Sequence, residues 1–377
     1  MARLGDICAV VSGTTPKSTQ PEYWDGNLNW VTPAELTDES DVIYESQRKI
    51  TPQAVIDSSL KPFPAGTVLL SSRAPIGKVA ITGTEMFCNQ GFKNLICSDK
   101  IYNRYLYHFL KDKTAYLNSL GRGATFKEIS KSIVENIEIP LPPLDEQRKI
   151  AAVLDKVSDL IAKRRQQLNK LDEMVKCRFI EMFGDISETV PLSYYIARLS
   201  AGKSLAGEEE CPNKVLKTGA ATYDYFDPTQ VKSLPADYEP QEDHRVNTGD
   251  VIISRMNTAE LVGAAAYVWE APEYTYLPDR LWRAEIKETA CPVFVWQMLI
   301  QSSTKESIRR IASGTSGSMK NISKPGLLGI RVQKVPLTLQ EQFANFVEQT
   351  NKSKSAIQKS LEKLETLKKA LMQEYFG

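Results

Sequence analysis

Histidine is scarce in this 377-residue sequence, and paired cysteines are missing. There are two histidines, His108 and His244, and six cysteines with no Cys-x-x-Cys spacing. Structural zinc sites normally need four such ligands at short, regular spacings, so a metal site is not expected. Scattered free thiols also predict a reducing, cytoplasmic setting and argue against a disulfide framework.

Long apolar runs are absent too. No segment approaches the roughly 20 residues that cross a bilayer, and no apolar core follows the single arginine at the start, so we expect neither a membrane span nor a signal peptide. Charge is balanced, with 47 Lys and Arg against 46 Asp and Glu. A nucleic-acid binder acting alone is usually more basic. Any phosphate contact must therefore come from local patches or be shared with a partner.

Motifs of common enzymes are incomplete. Gly202-Lys-Ser204 resembles the end of a phosphate-binding loop, but Ala197 stands where its first glycine belongs. Pro278-Asp279 and Glu285-Ile-Lys287 resemble the halves of a nuclease motif. The five residues between them are too few to direct both carboxylates at one metal. No Asn-Pro-Pro-Tyr-like segment and no glycine fingerprint indicates a methyltransferase, so we predict no catalytic residues.

The two halves of the chain are similar to each other. When residues 121–184 are shifted by 193 positions onto 314–377, 17 of the 64 pairs are identical. Composition alone would give about four. This predicts a duplication of half the chain. The local register around Glu146 stays open, because the ungapped shift places Leu339 opposite it, whereas a two-residue slip would place Glu341 there.

Each copy ends in a predicted long helix. Apolar residues step by four and three from Ile150 to Val175, interrupted by Arg164, and no Pro or Gly occurs between Pro143 and Gly184. This spacing is typical of a coiled-coil seam, and about 40 residues would form a rod of roughly 60 Å. The second copy has the same period with three polar seam residues: Thr350, Lys354 and Lys368. Two such stripes predict antiparallel helices that bury their seams against each other.

The segments before the helices are rich in short strands and turns. Both contain a Gly-x-Val-aliphatic-aliphatic-Ser strand followed by arginine, directly in one copy and after one residue in the other, so we expect Arg73 and Arg255 to end matching strands. Helices are predicted at 102–119 and 293–312. The predicted fold class is therefore α+β, with two domains of similar fold and two long antiparallel coiled-coil helices in a pseudo-two-fold repeat. The predicted boundaries are 1–143, 144–184, 185–336 and 337–377.

Several loops carry groups suited to DNA. Arginine can fork onto a guanine edge and Asn or Gln onto adenine, while hydroxyls, lysines and backbone amides suit phosphates. The candidates in the first half are Thr14, Thr15, Lys17, Arg73, Lys78, Asn89, Gln90, Arg122, Thr125 and Lys127. Those in the second half are Lys203, Ser204, Arg255, Asn257, Arg280, Thr315, Ser316 and Lys320.

These segments together resemble the specificity subunit of type I restriction-modification systems. The first half contributes Gly13-Thr-Thr-Pro16, Tyr23-Trp24-x-Gly26, Trp30-Val-Thr32, Pro64-x-Gly-Thr67, Arg73-x-x-Ile-Gly-Lys78 and Asn89-Gln-Gly-Phe92. The second half contributes Gly249-Asp-Val-Ile-Ile-Ser-Arg-Met-Asn-Thr258 and Leu277-Pro-Asp-Arg-Leu-Trp-Arg283. The most specific mark is Leu-Pro-Pro-Leu-x-Glu-Gln-x-x-Ile at 141–150, which opens a long helix.

The resemblance implies a subunit without a catalytic site, whose two domains each read half of a split double-stranded DNA sequence while the helices set the gap. It implies assembly with two adenine methyltransferase subunits and with restriction subunits in the prokaryotic cytoplasm. S-adenosylmethionine, ATP and Mg would then belong to those partners, and this chain would bind no cofactor. Two alternatives remain: a recognition subunit for a methyltransferase-only defence system, and a coiled-coil scaffold that binds no DNA.

Overall fold

The computed structural model describes residues 1–37, 39–121, 127–314 and 319–377. Its helices are α1 (Leu4–Ile7), α2 (Pro52–Asp57), α3 (Asn103–Asp112), α4 (Thr114–Leu120), α5 (Lys131–Glu135), α6 (Leu144–Phe183), α7 (Pro292–Leu299), α8 (Ser302–Ile311), α9 (Lys324–Leu328) and α10 (Leu337–Phe376). The strands before α6 are β1 (Ala2–Arg3), β2 (Cys8–Val11), β3 (Trp24–Val31), β4 (Val42–Ile43), β5 (Lys49–Ile50), β6 (Val68–Leu70), β7 (Val79–Thr82), β8 (Phe87–Cys88), β9 (Asn94–Cys97) and β10 (Glu138–Ile139). Those after it are β11 (Thr189–Pro191), β12 (Ile196–Ser200), β13 (Lys214–Leu216), β14 (Val231–Ser233), β15 (Val251–Ser254), β16 (Met256–Asn257), β17 (Ala265–Tyr267), β18 (Thr275–Tyr276), β19 (Leu281–Ile286), β20 (Lys320–Asn321) and β21 (Arg331–Gln333).

The chain forms two compact units. The first comprises Met1–Arg165 with Lys359–Gly377, and the second comprises Gln166–Gln358. Each unit therefore contains one α+β segment and part of both long helices. Within the described residues, no helix combines the length and the apolar composition that a bilayer crossing requires.

The first unit is built on a five-stranded sheet with the strand order β2-β9-β6-β7-β4. Neighbouring strands are antiparallel except β7 and β4. Alternate residues of a strand face opposite sides of its sheet. Accordingly, Val68 and Leu70 of β6 pack with residues of α3, α6 and α10, whereas Leu69 packs with Val31 and Phe92. Both faces of this sheet are covered, which explains why all three β6 residues are buried.

The second unit repeats this plan. Its central sheet has the order β12-β19-β15-β17 with antiparallel neighbours, which matches β2-β9-β6-β7. The smaller sheets β5-β3-β8 and β14-β13-β18 also correspond, because each combines one antiparallel and one parallel pair. The predicted α+β class with two domains of similar fold is confirmed at the level of strand order.

Segments of the two long helices pack together in the first unit. Helices α6 and α10 each have 40 residues. Ile150 near the start of α6 shares a buried cluster with Met372 near the end of α10. Further along α6, Arg165 is ion-paired with Glu365 at 2.8 Å. Later residues of α6 therefore contact earlier residues of α10, so these segments are antiparallel, as predicted.

The same arrangement occurs in the second unit. The ring of Phe179 lies 5.5 Å from that of Phe343, and Asp172 is ion-paired with Lys354. Every residue of the predicted seam is buried or half-buried, including the polar positions. Thr350 is buried, and its hydroxyl is satisfied because it donates to the carbonyl of Phe346 at 2.9 Å within the helix.

A buried glutamine lies in the first turn of each long helix. The side-chain oxygen of Gln147 accepts from the backbone nitrogen of Tyr102 at 2.8 Å, and that of Gln340 accepts from Cys291 at 2.9 Å. Each amide nitrogen also donates to the carbonyl five residues earlier, at 2.8 Å. Because Gln147 and Gln340 make the same contacts, the ungapped shift is the correct register and Leu339 replaces Glu146.

The prediction of single helices at 102–119 and 293–312 was wrong, because each region forms two helices. Lys113 interrupts the first, with ψ at 13°. The hydroxyl of Thr114 donates to the carbonyl of Lys111 at 2.9 Å and so competes with the helical ladder. Gln301 interrupts the second with an extended ψ of 144°.

Candidate nucleic-acid interface

Loops of the first unit meet beside its central sheet. The backbone nitrogen of Thr14 donates to the carbonyl of Cys88 at 2.9 Å, and the hydroxyl of Thr15 donates to the side-chain oxygen of Gln90. A Cβ atom on Gly13 would lie 2.1 Å from the Cys88 carbonyl oxygen, so only glycine permits this approach. We call these segments the first loop cluster: residues 13–15, 71–73, 88–93 and 127–129.

Equivalent segments form the second loop cluster: residues 202–204, 254–256, 277–282 and 320–322. The hydroxyl of Ser204 donates to the carboxylate of Asp279, which lies just after β18 as Gln90 lies after β8. A Cβ atom on Gly202 would lie 1.9 Å from the carbonyl oxygen of Leu277. The same close approach and the same hydroxyl contact therefore organise both clusters.

Arg73 and Arg255 follow matching strands, as predicted, at positions that differ by one residue. The carbonyl oxygens of Ser72 and Arg255 accept from the backbone nitrogens of two isoleucines that lie 193 positions apart. Ser72 is thus the counterpart of Arg255, and Arg73 that of Met256. The strands end in the same register, but the arginine follows the serine directly in one copy and after one residue in the other.

The first loop cluster contains an ion-pair triad. The Nε of Arg73 donates to Glu128 at 2.9 Å, and the ammonium of Lys93 donates to the other carboxylate oxygen at 3.1 Å. Lys93 is buried, whereas the Arg73 side chain is 47% exposed. Burial alone would raise the pKa of Glu128, but the hydrogen bonds from Lys93 and Arg73 outweigh it and lower that pKa. The carboxylate is therefore fixed between two cations.

The second loop cluster holds different groups at the same place. The guanidinium of Arg255 lies 5.6 Å from the centre of the Trp282 ring, within cation–π range. The backbone nitrogen of Arg255 donates to the carbonyl of Arg280, whose side chain is exposed. Lys320 pairs with Asn257 across β20 and β16, and its ammonium donates to the Gly314 carbonyl at 2.8 Å.

The remaining candidates are distributed unevenly. Thr14, Lys17, Gln90, Lys127 and Lys203 are exposed. Lys78 is half-buried, and its ammonium donates to the carbonyl of Leu36. Asn89 is half-buried too and accepts from the backbone nitrogen of Gly91 at 2.9 Å. Four candidates lie outside the described residues: Arg122, Thr125, Thr315 and Ser316.

Sequence reasoning missed several residues near these clusters. Lys93 and Glu128 were not singled out, because their partners lie 35 and 55 residues away and no local pattern connects them. Tyr223 and Tyr225 were also missed. Both are exposed, their rings are stacked 6.4 Å apart, and they follow Thr222, whose hydroxyl accepts from Asn257 at 3.3 Å. The sequence signal that could have pointed to these two tyrosines is their Tyr-x-Tyr spacing beside a loop.

Comparison with known proteins relates this chain to one family. The model of the type I restriction modification DNA specificity domain matches residues 1–173. The MjaIX specificity subunit of Methanocaldococcus jannaschii is 41% identical over 186 residues, which cover 48% of this chain and 43% of that relative. The MjaVIII specificity subunit of the same organism is 25% identical across 97% of this chain and 91% of its own length. Residues 1–173 thus match the type I restriction modification DNA specificity domain, and the chain is similar along nearly its whole length to a type I specificity subunit.

A solved structure supports the fold assignment. The S subunit of a type I restriction-modification system from M. genitalium superposes with a TM-score of 0.61, covering 100% of this chain and 95% of that one, at 15% sequence identity. The fold of this chain is therefore similar to that of this S subunit over the full length of the chain.

The groups in the two clusters are mainly hydrogen-bond donors. Hydroxyl, guanidinium and ammonium groups suit phosphate oxygens and the acceptor-rich edges of bases. Among the residues that the structure describes, no group of three or more His, Cys, Asp or Glu side chains is placed to hold a metal ion. The two clusters therefore carry groups that can donate hydrogen bonds to an acceptor-rich surface.

Proposed function

We propose that this chain is the non-catalytic, DNA-reading subunit of a type I restriction-modification complex, and that each unit reads half of a bipartite double-stranded target. One observation carries the proposal: the same loop cluster recurs on the same strand order with different side chains at equivalent positions. A repeated scaffold would present both clusters to DNA alike, while the changed side chains would select different bases.

The proposed DNA contacts are the candidates on these clusters and the loops beside them. In the first unit, the exposed Thr14, Gln90 and Lys127 lie in the same loop cluster as the half-exposed Arg73. In the second unit, the exposed Lys203 and Arg280 lie in the same loop cluster as Ser204. Lysines and hydroxyls would hold phosphates and set the register, whereas arginine and amide side chains would read base edges. The half-buried Lys78 and Asn89 would act by shaping the loops.

The long helices would set the gap between the half-sites and hold the partner subunits. Support comes from their equal length of 40 residues and from the fact that each unit contains a segment of both. Half-site spacing generally follows protein geometry. We propose that two adenine methyltransferase subunits, which bring S-adenosylmethionine, and restriction subunits using ATP and Mg complete the complex. Partners that share the DNA surface would account for the net charge of only +1.

The experiment is methylation mapping. The full chain is expressed with the adenine methyltransferase encoded beside it in a host without DNA methylation, and modified bases are located by long-read sequencing. We expect a split motif with one methylated adenine in each half and a gap of fixed length. If the two proteins are soluble and associated but no motif appears, the scaffold alternative is favoured and the proposal is wrong.

A control separates the two recognition functions. The same cells are challenged with unmodified phage DNA, with and without the neighbouring restriction gene. Restriction that depends on both this chain and that gene supports the type I assignment. A methylated motif without any restriction activity supports a methyltransferase-only system.

A further inference from the structure

In the first loop cluster, the Arg73 side chain is anchored through its Nε nitrogen. Its Nε donates to Glu128 at 2.9 Å, and the backbones of these two residues form an antiparallel bridge. The two terminal guanidinium nitrogens make no hydrogen bond within the described part of the chain. Arg73 therefore keeps two parallel donors at the end of its guanidinium, and these are the groups that fork onto a planar acceptor pair.

Lys93 fixes the carboxylate that holds the arginine. Its ammonium lies 3.1 Å from Glu128 and 3.4 Å from the hydroxyl of Ser72, and the residue is 7% exposed. Glu128 thus has a buried cation on one oxygen and Arg73 on the other. A guanidinium that is already oriented loses less side-chain freedom when it binds, so its contact is stronger and more selective.

The triad also distinguishes between kinds of DNA contact. Glu128 offsets one of the two positive charges of Arg73 and Lys93, which weakens the attraction of a phosphate to Arg73. The guanine edge in the major groove instead offers two neutral acceptors, N7 and O6, at the spacing of the guanidinium fork. A buttressing carboxylate therefore suits a base contact better than a phosphate contact.

The second unit changes all three positions together. Met256 stands at the place of Arg73, Trp282 at that of Lys93, and Asn321 at that of Glu128, as the paired strands and backbone bridges align them. Met256 has neither a guanidinium nor a carboxylate neighbour at these places. The triad is therefore specific to the first unit.

We infer that Arg73, positioned by Glu128 and Lys93, reads a guanine in the half-site bound by the first unit. Arg73 is the base-contacting residue, and Glu128 and Lys93 are positioning residues. This inference rests on the proposed function and adds to it the identity of one base and the side chains that select it.

Methylation mapping of variants tests the base assignment. Full-length wild type, Arg73→Ala, Arg73→Lys and Glu128→Gln are each expressed with the neighbouring methyltransferase. For Arg73→Ala, we expect one G·C position in one half-site to become degenerate while every other position is retained. Arg73→Lys keeps the charge but loses the fork, and Glu128→Gln keeps the arginine but loses its anchor. Both should weaken the preference at the same position only.

The matched control is Arg198→Ala. Arg198 makes the same Nε-to-carboxylate contact, with Glu285, on a strand pair outside the loop clusters. This variant should leave the whole motif unchanged. A change at an A·T position, changes in both half-sites, or a uniform loss of methylation by folded Arg73→Lys would overturn the inference.

A chemical substitution in the DNA provides a second, independent measurement. Replacing the guanine at the identified position with 7-deazaguanine removes the N7 acceptor. For the wild-type complex we expect affinity to fall by about 5- to 150-fold. The Arg73→Ala complex should show no additional loss. An equal loss in both complexes would mean that another residue contacts N7, and the inference would be wrong.

The wild-type result separates this inference from the proposed function. Without a bipartite motif for wild type, the proposed function fails. With such a motif but without a guanine that depends on Arg73, only the inference fails.

Discussion

The side-chain oxygen of Gln147 lies 2.8 Å from the backbone nitrogen of Tyr102 and accepts its hydrogen bond. The side chain of Gln147 is fully buried, and its amide nitrogen donates to the carbonyls of Lys100 and Pro142. One residue thus connects the first turn of α6 to the start of α3. Gln340 makes the corresponding contact in the second unit.

Substituting Gln147 with the similarly shaped methionine should destabilise the first unit. One buried N–H and two carbonyls would lose their partner, and we expect a loss of about 2–4 kcal/mol in the free energy of unfolding. Chemical denaturation measures this loss of free energy, and hydrogen exchange of peptides around Tyr102 locates it. Gln349→Met, on the exposed side of α10, should change stability by less than about 0.5 kcal/mol. Equal effects of both variants would contradict the role given to Gln147.

Gly13→Ala should disrupt the first loop cluster and spare the second. The added methyl group would lie 2.1 Å from the Cys88 carbonyl oxygen, so the loop carrying Thr14 and Thr15 must move. We expect the affinity for the complete target to fall by at least about tenfold, the value of one good base contact. Titration with duplexes altered in either half-site measures the loss. Gly329→Ala, whose nearest neighbour would be a carbonyl oxygen at 3.2 Å, is the control and should bind normally.

The first unit should lose stability in mild acid because of His108. This residue is buried, its Nε2 lies 2.7 Å from Asp155, and Arg104 and Lys368 add positive charge nearby. Burial lowers the pKa of His108 below its ordinary value of 6.5, and the hydrogen bond with Asp155 only partly opposes this shift. The unfolded chain therefore binds more protons than the folded one just below that pH.

Stability should accordingly be complete above a pH of about 6.5 and fall as the pH drops toward the lowered pKa, by at most about 1.4 kcal/mol per pH unit. Hydrogen bonding with His108 and Arg104 lowers the pKa of Asp155, although burial opposes it, so the contribution of this carboxylate is lost only in stronger acid. Denaturation of the His108→Asn variant between pH 5 and 7 checks the assignment. The variant should be less stable at neutral pH but should show a flatter profile. An unchanged slope would assign the pH dependence to another group.

Lengthening both long helices should lengthen the gap between the half-sites. The two units divide α6 after Arg165 and α10 after Gln358, which are equivalent positions in the repeat. Inserting seven residues at both places keeps the heptad phase and adds about 10.5 Å, which corresponds to about three base pairs. Methylation mapping should show unchanged half-sites and the longer gap. An insertion of three residues would break the heptad phase and should abolish modification.

The parts of the fold that follow from local pattern were predictable. The apolar seam residues, which step by four and three, predict both long helices, because one stripe of each helix must be buried. The matching Gly13 and Gly202 loops were predictable from glycine and hydroxyl spacing. The division between α3 and α4 was not, because it depends on a hydroxyl contact made by Thr114 that the 3.6-residue period does not report.

The triad in the first loop cluster was beyond sequence reasoning for a different reason. Arg73 and Glu128 are 55 residues apart and meet only when the segment after α4 returns beside β6. Arginine is a residue type that suits DNA contact, which makes Arg73 a candidate, whereas Lys93 and Glu128 belong to no motif. The one-residue offset between Arg73 and Arg255 is visible in the sequences Ser-Ser-Arg and Ser-Arg, and the backbone hydrogen bonds then pair Ser72 with Arg255.

The central claim is that each unit reads one half-site, and exchange of a single α+β segment tests it most directly. Residues 185–336 are replaced with the corresponding segment of another type I specificity subunit, and the methylated motif is mapped with the original methyltransferase. We predict that one half-site takes the sequence read by the donor, while the other half-site and the gap remain unchanged. A motif altered in both halves, or altered in neither by a folded and associated chimera, would contradict the account.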